Sequence, residues 1–344
     1  MPSPENRAVI AVAGAAKTQF VIDEALVDPS RRVLITTFTN ENLRQIQRRI
    51  EQQVGVVPDH IQLASWFTFL LRDGARPYQY CVLADIGVVR GLNFDAQRQR
   101  FAKKTERRYF LDRNGDVFRD GLADFMCTAN TSSGGAVISR LEALYDDVYV
   151  DEVQDLVGYD LDVLDLLLAS RIAVTVVGDP RQHTLSTSQA ARNKKYRGAG
   201  IHDWLEERSG TCARQHRNRS LRCNQAICDF ASALFPDLPA MHAASRPPAA
   251  HEGVHLVAPM SVHAYYEAHR PTVLRDRQTT DTFGLPAMNI GVSKGSTFEH
   301  VLIFPTKPML GYLADGDASK LKAPERLYVA VTRARHSVAF VVPS

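Results

Sequence analysis

The chain has 344 residues, of which 45% are hydrophobic and 23% charged, and its formal net charge at pH 7 is +3. These values are typical of a soluble globular protein with about two domains, and no apolar run approaches the roughly 20 residues that a membrane-spanning helix needs. The net charge permits nucleic-acid binding without arguing for it. The first residues turn polar too quickly for a signal peptide, so we expect a cytoplasmic protein.

In chain order, the first half alternates short apolar runs with helical patterns. A strand, a small-residue turn and a helix are predicted in AVIAVAGAAKTQFVIDEAL, and further strands in RRVLITTFTN, HIQLASW, DDVYVDE and RIAVTVVGD. Helices are predicted in ENLRQIQRRIEQQV and GYDLDVLDLLLAS. This alternation indicates a parallel α/β sheet, which binds ligands at the carboxyl ends of its strands.

The second half repeats the theme after a helix in CNQAICDFASALF and a loop in PDLPAMHAASRPPAAHEG. Strands are predicted in GVHLVAP, NIGVSK, HVLIFPT and SVAFVVP, and a helix in APERLYVAVTRAR. We expect a first domain over residues 1–200, with a small, mostly helical insertion at about 68–143, and a second domain over 201–344. The five cysteines form no CxxC pair, and we interpret them as structural thiols rather than metal ligands.

The stretch AVAGAAKT has the layout of a phosphate-binding loop. Small residues (Gly14, Ala15, Ala16) let backbone N–H groups approach phosphates, and the following helix presents its positive N-terminus. Lys17 would reach the β- and γ-phosphates, and the Thr18 hydroxyl would bind magnesium. Ala16 stands where a glycine is expected and where the backbone needs a positive φ, at a cost of roughly 1 kcal/mol. The alternative is an ordinary strand-to-helix turn.

Two adjacent carboxylates follow the strand candidate in VYVDEVQDL. Adjacent carboxylates repel each other, so a metal ion or a basic side chain is expected beside them. We assign Asp151 to the metal and Glu152 to the activation of water for attack on the γ-phosphate. The alternative is a surface acidic turn.

Further motifs follow in order, and with them the chain resembles the UvrD/Rep-like superfamily 1 DNA helicases over almost its whole length. They are TTFTN, LASWFTFLL, VVGDPRQ, KYRGAGIHDWLEE, RQHRNRS, GVSKGSTFEHVLIF and YVAVTRAR. The resemblance implies two RecA-like parallel-sheet P-loop NTPase domains that bind ATP and Mg²⁺ between them. The chain departs from the family in two ways. The large accessory domain of the second half is missing or reduced to the loop PDLPAMHAASRPPAAHEG, so that we expect a compact form, and the phosphate-binding loop is degenerate.

The resemblance also implies roles for single residues. Gln182, Arg217 and Arg333 would contact or sense the γ-phosphate, His216 would stack on the adenine, and Gly295 would belong to the nucleotide site. Single-stranded DNA would be bound by Thr37, Phe38, Thr39, Asn40, Trp66, Tyr196 and Arg197. The rings of Phe38, Trp66 and Tyr196 are expected to stack on bases. For Trp66 and Tyr196 the alternative is packing in the core.

The function implied by the resemblance is that of an ATP-dependent translocase or helicase on single-stranded DNA, moving 3′ to 5′. A nuclease is the expected type of protein partner, in phage defence or DNA repair. Two alternatives stay open. One is a nucleotide-binding regulatory switch subunit with little or no unwinding. The other is an RNA helicase, which is indicated by the sequence KGSTF in the motif GVSKGSTFEHVLIF, where the DNA helicases usually have Gly-Leu-Glu-Phe.

Overall fold

The structure is a computed structural model that describes residues 5–96, 98, 99, 101–183, 187, 188 and 191–343. Its strands are β1 Arg7–Ala11, β2 Val33–Thr37, β3 Ile61–Ser65, β4 Leu92–Asn93, β5 Val117–Phe118, β6 Asp147–Asp151, β7 Ala173–Gly178, β8 Ala213–Arg217, β9 Arg219–Ser220, β10 His242–Ala243, β11 Gly253–Val257, β12 Thr272–Arg275, β13 Ala287–Asn289, β14 Phe298–Phe304 and β15 Ala334–Val341.

The α-helices are α1 Lys17–Ala25, α2 Asn40–Val54, α3 Trp66–Phe69, α4 Arg107–Phe110, α5 Leu122–Ser132, α6 Ala136–Leu144, α7 Tyr159–Leu168, α8 Ile201–Glu206, α9 Gln225–Ala233, α10 Val262–His269, α11 Lys307–Asp315 and α12 Pro324–Val331. In the part of the chain that the structure describes, none of these helices combines the length and the apolar character needed to cross a bilayer.

The chain folds into two compact units. The first unit contains Met1–Ile10, Lys17–Pro180 and Leu185–Gln215. The second contains Ala11–Ala16, Arg181–Thr184 and His216–Ser344. Most of the predicted phosphate-binding loop and the end of the VVGDPRQ motif therefore belong to the second unit, although they are flanked in sequence by the first.

The first unit is built on a six-stranded sheet in the order β3-β2-β6-β7-β1-β8. Four neighbouring pairs are parallel: β2 with β3, β2 with β6, β6 with β7, and β1 with β7. All five residues of β2 are buried, as is typical of a parallel strand covered on both faces. Because these strands run the same way, the segments that follow β1, β2, β6 and β7 start from one edge of the sheet, which is where the predicted motifs lie.

The segment between β3 and β6 is mostly helical, with a small β4–β5 pair. Its Phe110 and Phe125 belong to the same hydrophobic core as Ala8 and Leu34 of the sheet. Residues beyond 200 join this core too, because α8 contributes Ile201, Trp204 and Leu205 to it. The first unit accordingly extends to Gln215.

The second unit is built on a five-stranded sheet in the order β11-β15-β14-β12-β13, and every pair is parallel. Two mixed α/β units with parallel sheets confirm the predicted RecA-like α/β fold class. One strand prediction is wrong: in NIGVSK, residues Ile290–Ser293 form a 3₁₀ turn, and the strand is the preceding β13. The short β12, within a mixed apolar and charged segment, was not predicted at all.

Candidate functional site

The predicted phosphate-binding loop connects β1 to α1 and contains two residues with left-handed backbone conformations. The φ angle is +76° at Gly14 and +55° at Ala16, so the prediction of a positive φ at Ala16 is confirmed. The N–H of Ala15 donates to the carbonyl of Val12 over 3.1 Å, which closes the first turn of the loop. The loop is therefore tightly curved, and an alanine occupies one of its two left-handed positions.

Gly14 is also closely surrounded by other residues of the second unit. A Cβ atom added there would lie 2.6 Å from Ser220 Oγ and 2.7 Å from Arg222 Cβ. These distances are too short for any side chain, and the positive φ already disfavours one. Glycine is thus required at this position both by its backbone conformation and by the space around it.

In the first unit, Lys17 and Thr18 start helix α1, and Asp151 ends strand β6. The Thr18 hydroxyl donates to Asp151 Oδ2 over 3.3 Å. Asp151 is only 4% exposed. Burial raises the pKa of this carboxyl, the neighbouring charge of Glu152 raises it further, and Lys17 acts in the opposite direction. A carboxylate in these surroundings would be stabilised in its charged form by a cation.

These oxygen ligands fit magnesium. A hydroxyl and a carboxylate in contact are the hard donors that Mg²⁺ prefers, and the ion usually takes one or two protein ligands together with waters and substrate phosphates. Among the described residues, no group of three or more His, Cys, Asp or Glu side chains is arranged to hold a metal ion. The site accordingly suits an ion delivered with a nucleotide better than a permanently caged one.

Glu152 follows Asp151 in a left-handed conformation, with φ +59°. Its N–H donates to Asp151 Oδ1 over 3.0 Å, and its carboxylate accepts a hydrogen bond from Gln154 Nε2. Gln154 Oε1 in turn accepts the N–H of Asp179 over 3.1 Å. Gln154 thus connects the acidic pair to the end of β7. It lies within the VDEVQD motif, but no role was predicted for it.

In the second unit, Arg333 and Gln182 come together. Arg333 is 2% exposed and donates to Val329 O at 3.1 Å, to Ser296 O at 3.3 Å and to Gln182 Oε1 at 3.5 Å. Gly295, with φ +89°, precedes the residue that accepts one of these bonds. Two residues predicted to sense the γ-phosphate, and the predicted glycine, therefore belong to one cluster.

Arg217 and His216 end strand β8. The carbonyl of Arg217 accepts the N–H of Val12 over 3.0 Å, so this residue contacts the phosphate-binding loop through its backbone. Arg217 is half-buried and His216 is exposed. An exposed ring is compatible with stacking on a base.

The predicted nucleic-acid residues at the end of β2 and directly after it differ in their accessibility. Thr37 is buried, and Thr39 caps α2 by accepting the N–H of Asn42 over 3.1 Å. Phe38 is half-buried and packs edge-on against Phe67 at a centroid distance of 5.8 Å, and Asn40 is exposed. Phe38, Thr39 and Asn40 are therefore the residues of this segment with solvent-accessible surface, and Asn40 is the most exposed of the three.

Trp66 and Tyr196 lie in the interior. Trp66 is fully buried and donates to Asp160 Oδ1 over 2.7 Å. Tyr196 is 7% exposed, and its hydroxyl donates to Glu207. A ring buried in this way cannot stack on a base, so the base-stacking prediction gives way to the core-packing alternative. Arg197, beside Tyr196, is half-buried.

Residues 136–342 match the sequence profile of a family described as the viral superfamily 1 RNA helicase core domain. The chain belongs to this family. It is therefore a superfamily 1 helicase core. The UvrD/Rep-like branch and a DNA substrate stay predictions. No curated protein matches the chain.

Solved structures of viral helicases resemble this helicase core. The PRRSV helicase has 17% identity and a TM-score of 0.47, with 98% of this chain and 52% of that one covered. Arterivirus nonstructural protein 10, a helicase, has 15% identity and a TM-score of 0.52, with 98% of this chain and 59% of that one covered. The complex of arterivirus nonstructural protein 10 with DNA has 15% identity and a TM-score of 0.52, with 98% of this chain and 61% of that one covered. The chain thus spans about half to three fifths of these proteins, and the likeness shows the fold alone.

Proposed function

We propose that this chain is an ATP-dependent motor that translocates on single-stranded nucleic acid. The observation that carries the proposal is the contact between the Thr18 hydroxyl and the buried Asp151, directly beside Lys17 and Glu152. A phosphate loop, a hydroxyl, a buried carboxylate and a second carboxylate in this order are the parts that phosphoryl transfer to water requires.

The proposed chemistry assigns one task to each group. Lys17 and the N-terminus of α1 neutralise the β- and γ-phosphates. Thr18 and Asp151 would hold a magnesium ion, which supplies further charge neutralisation when it is bound. Glu152, oriented by Gln154, positions the attacking water and accepts its proton. Arg333 carries positive charge for the transferring phosphoryl group.

The nucleic acid is proposed to be single-stranded DNA, moved 3′ to 5′, as the resemblance to UvrD/Rep-like helicases implies. Support for nucleic acid in general comes from the family and from the exposed Asn40 and half-buried Phe38 after β2. The family's description names RNA helicases, and one structural neighbour was solved with DNA. RNA is therefore the second candidate. A nuclease partner in phage defence or repair is a proposal that rests on the resemblance alone.

Steady-state ATP turnover with single-stranded DNA, with single-stranded RNA and without nucleic acid tests this function. Glu152→Gln removes the proton acceptor and leaves its size unchanged, and we expect a loss of turnover of at least about 100-fold because general-base catalysis contributes that much. ATP binding should persist in this variant, since Glu152 is not assigned to the phosphates.

Glu142→Gln is the matched control, because Glu142 pairs with Arg171 outside the site. It should turn over ATP like the wild type. Equal turnover of Glu152→Gln and wild type would contradict the assignment of Glu152. If RNA stimulated ATP turnover and DNA did not, RNA and not DNA would be the substrate.

A regulatory nucleotide switch is the second candidate function, and the left-handed Ala16 is the observation that favours it. An alanine held in the left-handed region departs from the glycine expected in a phosphate-binding loop, and slow hydrolysis is what a switch requires. Tight ATP binding together with negligible turnover under every nucleic acid would establish the switch and exclude the motor.

A further inference from the structure

Tyr328 is a buried tyrosine that the proposed chemistry does not use. It lies on α12 in the second unit and is fully buried. Its ring packs edge-on against Phe235 at 5.7 Å, and the Arg181 guanidinium lies 5.9 Å from the ring centroid. A buried tyrosine of this kind needs a partner for its hydroxyl, and the identity of that partner indicates a role.

The partner is the backbone of the phosphate-binding loop. The N–H of Ala13 donates to Tyr328 Oη over 3.1 Å, in a buried position. The Tyr328 hydroxyl itself donates to Met241 Sδ over 3.2 Å. A thioether is a weak acceptor, so the bond to Ala13 is the stronger of these two. A side chain from α12 thus fixes one amide of the loop.

Residues 12 to 14 of the loop each form a hydrogen bond with another part of the second unit. The N–H of Val12 donates to Arg217 O over 3.0 Å, and the carbonyl of Gly14 accepts the N–H of Leu221 over 2.9 Å. Both of these bonds join backbone to backbone. Of the three bonds, the one from Ala13 to Tyr328 is the one that a side-chain substitution can remove.

The loop needs such fixing because Ala16 follows only three residues later with φ +55°. An alanine held there is under strain, since its Cβ crowds the backbone in the left-handed region. A loop released at Ala13 can relieve this strain by rotating Ala16 toward negative φ. That rotation would turn the nearby amide N–H groups away from the phosphates.

We propose that the Tyr328 hydroxyl is a positioning group for the phosphate-binding loop, which holds the strained Ala16 in the conformation that binds phosphate. This inference rests on the proposed function, because it presupposes that the loop binds a nucleotide. Tyr328 precedes Val329, whose carbonyl accepts a bond from Arg333. The same segment therefore contacts the loop and orients the predicted phosphate-contacting arginine.

Tyr328→Phe removes the hydroxyl and keeps the ring. We expect the Kd of a fluorescent ADP analogue to rise about three- to tenfold, the range that corresponds to the loss of one neutral hydrogen bond. KM for ATP should rise by the same factor with kcat nearly unchanged, because the loop binds substrate and transition state alike. In Ala16→Gly the loop is unstrained, so adding Tyr328→Phe to that variant should change the Kd by less than about twofold.

Tyr312→Phe is the matched control, because Tyr312 is a buried tyrosine of the same unit that packs on Phe230. It should leave the Kd unchanged. Three results would each overturn the inference. The Kd of Tyr328→Phe could equal that of the wild type, Tyr312→Phe could raise the Kd as much as Tyr328→Phe does, or Tyr328→Phe could raise the Kd by the same factor in the Ala16→Gly variant as in the wild type. A wild-type protein that binds no nucleotide would instead contradict the proposed function.

Discussion

Ala16 shows how a single residue can be predicted from its position in a motif. The spacing of AVAGAAKT placed it where a glycine is expected, and the backbone there has φ +55°. Gln154 and Tyr328 could not be assigned roles in the same way. Each lies within a quoted motif, but its partner (the backbone of Asp179 or of Ala13) is distant in sequence, and only the folded chain brings them together.

At the residue scale, Ala16→Gly should stabilise the protein by about 1 kcal/mol, because glycine adopts the left-handed conformation without strain. The midpoint of urea unfolding, at an unchanged slope, measures this.

Ala15→Gly serves as the control for stability, since Ala15 is buried and has a negative φ. It should be neutral or destabilising. A loss of stability in Ala16→Gly would contradict the assignment of strain to this residue.

At the element scale, the amino-terminal part of the second unit's sheet brings together histidines from several elements. His251 stacks between His255 of β11 at 4.3 Å and His269 of α10 at 3.7 Å, with interplanar angles of 15° and 11°. His300 of β14 lies 5.7 Å from His251. Stacked imidazoles at these distances repel each other when more than one is charged.

This stack predicts a loss of stability in acid. Burial, and then the neighbouring rings of His269, His255 and His300, lower the pKa of His251 to about 4. Its pKa in the unfolded chain is about 6.5, so between these values the unfolded state binds more protons. The contribution of His251 to the free energy of unfolding should therefore fall as the pH drops from about 6.5 to 4.

His251→Gln should flatten this dependence, and the difference between its urea unfolding curves and those of the wild type at about pH 7 and pH 5 measures the effect. His263→Gln, at an exposed position on α10, is the control. If wild type and His251→Gln lost the same free energy on acidification, the stack would not be its source.

Elements were predicted well where the pattern was long or repeated, and poorly where it was short. The alternation of strands and helices identified β1 to β3 and the helices between them. The strand in NIGVSK was predicted wrongly because a six-residue segment with only two aliphatic residues, Ile290 and Val292, suits a strand and a turn equally. Strand β12 was missed because it has only four residues.

At the scale of the whole molecule, the order of the motifs was enough to predict a superfamily 1 helicase, and the family match over residues 136–342 confirms it. The type of nucleic acid, single-stranded DNA from the resemblance to UvrD/Rep-like helicases, stays a prediction, because the family match shows a superfamily 1 helicase core and not its substrate. Two of the predicted stacking rings are buried, and a sequence pattern does not distinguish an aromatic in the core from one on a binding surface.

ATP turnover measured on single-stranded DNA homopolymers of increasing length tests the motor most directly. The turnover of Glu152→Gln, measured in parallel, is subtracted as the rate that does not depend on the proposed site. A motor that translocates dissociates when it reaches the end of a strand and must bind another before it hydrolyses ATP again. On longer strands it therefore spends a larger fraction of its time translocating. We therefore predict that kcat rises with length to a plateau on DNA. Turnover that is absent, or that is the same with and without nucleic acid of any length, would contradict the account.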